Sequence, residues 1–186
     1  MVVLTALNLR PFLTAIGPLA QDIAAATGLD LRGMAWLMLL PMLLMGLGAW
    51  CGPALQQRPG ARRVLLGAMA LLALGSALHA GVPGGGALIA TAGLCGLGAA
   101  FVQAVFPGVI KRQFPGHVAP VMGLYSAALM GGGALGAQLT PLAAQGGAWR
   151  GALTWWAHLA CVALVALLTV CFAPQRDAAV MRAPAP

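Results

Sequence analysis

Long apolar runs separated by short polar interruptions dominate this chain. Membrane-crossing helices are predicted over Met1–Ala20, Met34–Leu55, Val64–Ala80, Ala87–Ile110, Val118–Leu142 and Gly151–Ala173. Each run is within reach of the roughly 17–25 residues that cross about 30 Å of hydrocarbon at 1.5 Å per residue. A polar connection, Gln21–Gly33, follows the first run. Then come a basic loop (Gln56–Arg63), a turn (Gly81–Gly86), a second basic loop (Lys111–His117) and a turn (Gln145–Arg150). Prolines and glycines inside the runs do not demote them, because neighbouring helices can re-satisfy freed backbone groups. The predicted architecture is all-α: an integral membrane six-helix bundle over residues 1–173. A polar, Ala/Pro-rich cytoplasmic tail over 174–186 is expected to be disordered.

Composition narrows the class. Hydrophobic residues are 61% and charged residues 7% of the chain, against roughly 25% charged in soluble domains. Mean hydropathy is +0.91. A soluble enzyme could not cover its surface with so few polar groups, and disorder needs low hydrophobicity and high charge. The net charge of +7 does not point to nucleic acid, because the bases sit singly or in pairs between apolar runs. Arg58, Arg62, Arg63, Lys111, Arg112, Arg176 and Arg182 fall on one side, Arg32 and Arg150 on the other. The positive-inside rule then puts both termini in the cytoplasm of a bacterial inner-membrane protein. Trp36, Trp149, Trp155 and Trp156 mark the outer ends of spans 2 and 6. The start, Met1-Val2-Val3-Leu4, lacks the basic segment of a cleaved signal peptide. Cys51, Cys95, Cys161 and Cys171 show no CxxC spacing and read as small buried hydrophobes. No metal or cofactor is expected.

Arg10 is the residue most at odds with its surroundings. A mid-span charge costs about 2.5–3.5 kcal/mol on insertion scales and should face a cavity or a partner. The acids Asp22, Asp30 and Asp177 all fall in loops or tail. Arg10 therefore either contacts a small anion or polar solute through charge-assisted hydrogen bonds, or it pairs structurally. Asn8 and Gln103 add hydrogen-bonding groups from spans 1 and 4. Tyr125 lines a cavity or anchors at the interface, and Gln138 and His158 are further polar residues of spans 5 and 6. No span carries Asp or Glu, so a carboxylate proton relay is not expected here. The glycines of span 4 (Gly93, Gly96, Gly98) and span 5 (Gly131, Gly132, Gly133, Gly136) read as close-packing devices. Ser76 and His79 lie three apart, but neither serine sits in Gly-x-Ser-x-Gly, so an intramembrane serine protease is not the reading. Spans 1–3 and 4–6 form a weak internal repeat, with Asn8 before Pro11 matched by Gln103 before Pro107. Such a match points to a central site.

These residues carry a resemblance. Asn8-Leu9-Arg10-Pro11 with Gly17-Pro18-Leu19, Pro107 with Ile110-Lys111-Arg112 and Phe114-Pro115, Gly123-Leu124-Tyr125-Ser126, and Trp149-Arg150 resemble the cyanate / 2-nitroimidazole transporter branch of the major facilitator superfamily. The resemblance runs to about Phe172. The loop Gly52–Arg63 is similar to the superfamily's basic loop only loosely, with Gln57 where an Asp is common. The resemblance implies a substrate cavity faced by Asn8 and Arg10, with Gln103 opposite. It implies twelve spans in two halves that rock about the site, of which this chain supplies the first six, in two three-helix repeats. The expected function is transport of a small solute, a cyanate-like anion or a small nitro-heterocycle. The expected partners are that solute, the bilayer and a second six-helix half, either a missing C-terminal half or a second copy. The alternative is an inactive truncated remnant or a membrane interaction subunit.

Overall fold

The computed structural model describes residues 2–57, 60–145 and 149–172. The tail over 174–186, the orientation-reporting Arg58, Arg176 and Arg182, and the centre of the Gln145–Arg150 turn lie outside them. The described elements are all helical: α1 Val2–Leu7, α2 Pro11–Thr14, α3 Ala20–Thr27, α4 Leu31–Gln57, α5 Ala61–Gly81, α6 Gly85–Gln113, α7 Val118–Ala143 and α8 Trp149–Phe172. Helices α4, α5, α6 and α7 are long and apolar enough to cross a membrane. The 24 residues of α8 reach about 36 Å. With the segmented first pass, these make six passes of an all-α membrane bundle.

The first pass corrects the sequence expectation. It is not one helix over Met1–Ala20, and part of the predicted polar connection is helical, since α3 runs to Thr27. Proline chemistry explains the breaks. Pro11 has no N–H for the Leu7 carbonyl, and its ring crowds the carbonyl four residues back. The chain tightens just before it. Asn8 and Leu9 donate to carbonyls three residues back, Thr5 at 3.3 Å and Ala6 at 3.2 Å. The Leu4 carbonyl thereby loses its backbone donor, and the Asn8 side-chain Nδ2 supplies one at 2.9 Å. Pro18 acts similarly, with Leu19 and Ala20 donating to Ile16 and Gly17. Gly28, at φ 68°, closes α3 in the left-handed conformation that glycine adopts without a Cβ penalty.

Glycines set how close the passes come. Lipid is as apolar as leucine, so helices associate through close packing rather than a hydrophobic drive. On α6, a Cβ at Gly96 would lie 2.6 Å from Pro41 Cα of α4, and one at Gly98 would lie 2.8 Å from the Ala68 carbonyl oxygen of α5. On α7, a Cβ at Gly132 would overlap the Leu7 carbonyl, and one at Gly136 would lie 2.9 Å from Pro11 Cα. The packing role read from the glycines is visible at Gly96, Gly98, Gly132 and Gly136, but not at Gly131, where a Cβ would have nothing within 4 Å. Helix α6 packs against α4 and α5, α7 against α1 and α2, and α5 against α8. The pairs α4–α6 and α7–α1/α2 exchange under the expected two-repeat symmetry, and α5–α8 maps onto itself.

Two apolar cores stack along the bundle. One holds Leu9, Phe12, Met69, Leu72, Val102, Phe106 and Tyr125. The other holds Ile16, Ile23, Leu37, Leu88, Trp149 and Leu153. At the second end, Arg150 Nη1 donates to the Val82 carbonyl at 2.6 Å, tying the start of α8 to the α5–α6 turn. Its guanidinium also sits 4.5 Å over the Trp149 ring.

Gly132→Ala should weaken the fold, because its methyl would meet backbone rather than a movable side chain. Overpacking of this kind costs about 1–3 kcal/mol. Gly131→Ala, whose Cβ would have nothing within 4 Å, should be neutral or slightly stabilising. Thermal unfolding in detergent micelles distinguishes the adjacent pair.

Candidate functional site

The bundle contains a seam. Helix α6 packs closely against both α4 and α5, and α7 against α1 and α2, while α6 and α7 touch only briefly. Among the described residues, three buried polar atoms without a hydrogen-bond partner lie on the elements that flank it: Arg10 Nε, Gln103 Nε2 and Tyr125 Oη; a fourth, His79 Nε2, lies between α5 and α6. Buried donors without partners cost roughly 1–3 kcal/mol each, so native structures hold few of them.

Each of the three is positioned by its element. Arg10 sits in the break between α1 and α2, with its stem against Gly133 of α7: a Cβ there would lie 3.5 Å from Arg10 Cβ and 3.6 Å from Cδ. Tyr125 lies on the same face of α7, about two turns earlier. Its ring stacks on Phe106 of α6, with centroids 5.2 Å apart and planes at 22°. Gln103 precedes Phe106 by one turn on α6, on the same helix face. Pro107 has no N–H to give the Gln103 carbonyl, so the backbone is weakened where the side-chain amide lacks a partner.

Asn8 and Gln138 are placed otherwise. Asn8 is buried, but its amide nitrogen is committed to the Leu4 carbonyl. It supports the break beside Arg10. Gln138 is exposed on α7 and lies well round the helix from the Tyr125–Gly132–Gly136 line, so the structure does not gather it with the others. His158 donates from Nδ1 to the Thr154 carbonyl at 2.8 Å and lines an open groove on α8 with Gly151, Thr154 and Trp155. Phe106 was not singled out from the sequence. Its three-residue spacing from Gln103 was the available signal.

A second polar cluster lies between α5 and α6. Thr91 directs its one hydroxyl proton at the Ala87 and Leu88 carbonyls, 3.1 and 3.0 Å away. It therefore accepts from His79 Nδ1–H at 2.9 Å. Ser76 Oγ faces Cys95 Sγ at 3.7 Å. Ser76 and His79 thus each bond to α6 rather than to one another, which is no nucleophile–base pair.

Comparison with known proteins places the chain in context. The sequence profile of the Major Facilitator Superfamily matches residues 3–185. The chain is 43% identical over 166 residues to the cyanate transport protein CynX of Escherichia coli K12, covering 89% of this chain and 43% of that protein. It is 34% identical over 167 residues to the 2-nitroimidazole transporter of the same organism, covering 89% and 42%. It is 30% identical over 166 residues to the uncharacterized transporter YycB of Bacillus subtilis 168, covering 88% and 41%. The chain therefore spans well under half the length of these relatives.

Tyr125→Phe should leave the thermal midpoint unchanged or higher, because it deletes a buried hydroxyl that has no partner. Thr91→Val should lower stability by about 1–3 kcal/mol, because it strands the buried His79 Nδ1–H. Thr91→Ser should restore most of the loss. Parallel melts in one detergent compare all three.

Proposed function

Because the chain belongs to the major facilitator superfamily, we propose that it forms the first six-helix half of a small-solute transporter in a bacterial inner membrane, with both termini cytoplasmic. A second six-helix half completes the solute pathway, and the halves rock about the seam site. The solute is a small anion such as cyanate or a compact nitro-heterocycle, the substrates named for the two Escherichia coli relatives. Both present oxygen or nitrogen acceptors on a small frame.

The observation that carries this reading is the set of buried polar atoms without partners on Arg10, Gln103 and Tyr125, one of them an intramembrane cation. Arg10 supplies charge and N–H groups, Gln103 an amide N–H from the facing group, and Tyr125 a hydroxyl. Donors left open in a low-dielectric site suit a ligand that brings acceptors and negative charge. No described span holds a carboxylate to compete for Arg10. The apolar face of α4, with Trp36, Leu39, Met42, Leu43 and Leu47 exposed, suits lipid or the second half.

The test is cyanate and 2-nitroimidazole binding to the purified chain, with uptake measured in vesicles that carry it together with a second half. Arg10→Ala should weaken binding about 30-fold or more, the equivalent of at least 2 kcal/mol for a buried charged hydrogen-bond partner. Arg10→Lys keeps the charge but not the planar fork and should fall between. Unchanged affinity and uptake in Arg10→Ala would remove Arg10 from the site.

A further inference from the structure

His79 is tied at one ring nitrogen and open at the other. It is 4% exposed and sits in the last turn of α5. Its Nδ1 lies 2.9 Å from Thr91 Oγ1 of α6, while its Nε2 is buried without a partner. Two neutral tautomers fit that distance. With the proton on Nε2, a buried N–H is orphaned and the Thr91 hydroxyl must turn from its carbonyls to the ring. With the proton on Nδ1, the ring donates to Thr91, whose own proton stays on the Ala87 and Leu88 carbonyls. Only a lone pair is then left open, the smaller deficit, since orphaned buried N–H groups are the rarer kind.

The imidazolium has no such solution. Its second N–H would be buried beside no protein acceptor, and a buried charge must be paired or hydrogen-bonded. Helices α4, α6 and α8 pack against α5, and their described residues include no Asp or Glu. On α6, Cys95 faces Ser76 at 3.7 Å, and Lys111 and Arg112 are at the far end. On α8, Arg150 is bound to the Val82 carbonyl at 2.6 Å, and His158 and Cys161 are exposed. On α4, Arg32 and Cys51 are exposed, and on α5 itself Arg62 and Arg63 are at the opposite end. A helix C-terminus favours a cation, but Arg150 already fills that role at α5. The two backbones also stand close one turn away, where a Cβ at Gly75 would lie 3.0 Å from the Cys95 nitrogen. Hydrating a charged ring in place would mean parting the helices.

We propose that His79 is an acid-sensitive joint: with a neutral ring it ties α5 to α6 through Thr91, and a second proton, taken up at Nε2, favours the form in which those helix ends have parted. His79 lies within one turn of the connection between α5 and α6, so aqueous protons reach it without crossing the bundle. The joint stands apart from the solute site and holds whether or not that site binds anything. In the parted form the ring titrates in the ordinary histidine range, about 6.5. That form therefore binds more protons in acid. Stability is level above this range and falls as pH drops below it.

The chain has three histidines. A His117→Gln/His158→Gln variant, changed only at exposed positions, keeps His79 as its single histidine. Nitrogen-15 spectra of that imidazole in detergent micelles should show the Nδ1–H tautomer at pH about 7.5, above the ordinary histidine range. Between pH about 7.5 and about 5.5, the folded-to-unfolded ratio in SDS titrations should fall about tenfold further than in the same protein carrying His79→Asn, the change that one proton at about 6.5 sets. Asparagine keeps a donor for Thr91 and takes up no proton. An Nε2–H ring in the neutral sample overturns the proposal, as does an equal acid response with and without His79. Where His79→Asn does not fold, the single-histidine protein decides alone. Loss of folded protein in acid, with a neutral ring in the fraction that stays folded, supports the joint, and a folded protein carrying an imidazolium overturns it.

Discussion

The Leu7 carbonyl sets the terms for the rest of the bundle. Pro11 cannot donate to it, and in a bilayer no water stands ready to replace the missing bond. Such a group is tolerated only where protein covers it. Gly132 provides the cover by bringing the α7 backbone against the carbonyl, a contact that any Cβ would block. Asn8 answers the neighbouring deficit by giving its side-chain amide to Leu4. One proline thus fixes three features: the tight turn before it, the amide beside it and the glycine on the facing helix.

That arrangement also explains how a charge comes to be held mid-bundle. Arg10 leaves the chain at the break, between two short helices, rather than from the flank of a continuous one. Its stem runs over Gly133, the residue next to the glycine that covers Leu7. The same α7 surface therefore supports the broken backbone and the cation. Because α7 commits this face to α1 and α2, it makes little contact with α6, and the seam between them is where the open donors sit. Across it, the aromatic stack supplies directional contact where helix packing is sparse.

Much of this was legible in the sequence. Apolar run lengths gave the passes, since a bilayer imposes one length scale on every helix. Glycine clusters gave the close contacts, because only small residues let backbones approach in lipid. Arg10, Gln103 and Tyr125 stood out as polar residues in apolar runs, and the structure leaves polar atoms of all three without partners. The misses have local causes. Hydrophobicity alone could not show that span 1 breaks, because Pro11 and Pro18 disrupt backbone bonding without changing the apolar pattern. The Asn8 bond to Leu4 could not be read from the sequence because it depends on that break. The exposure of Gln138 could not be read either, because a sequence does not say which way round a helix a side chain points. Phe106 carries only its three-residue spacing from Gln103 in the sequence, and its stack on Tyr125 is a tertiary contact that spacing does not reveal.

The two departures from ordinary folding rules meet in one place, and this is the strongest physical argument for a site there. Helix continuity fails at Asn8–Pro11, and polar satisfaction fails at Arg10, Gln103 and Tyr125. Among the described residues, Pro18 breaks the same pass a second time, and His79 Nε2 between α5 and α6 is also buried without a partner. His79 has a hydroxyl for its Nδ1, Arg150 has a carbonyl and an aromatic face, and Thr140 donates to Gly136 and accepts from Trp156 at 2.9 Å. A bundle able to satisfy those groups is under no general constraint to leave three donors open at one seam. Local conflicts that persist inside an otherwise consistent fold are expected at functional positions. The unpaired donors lower stability a little in the empty protein, and a ligand that brings acceptors recovers that loss only while it is bound.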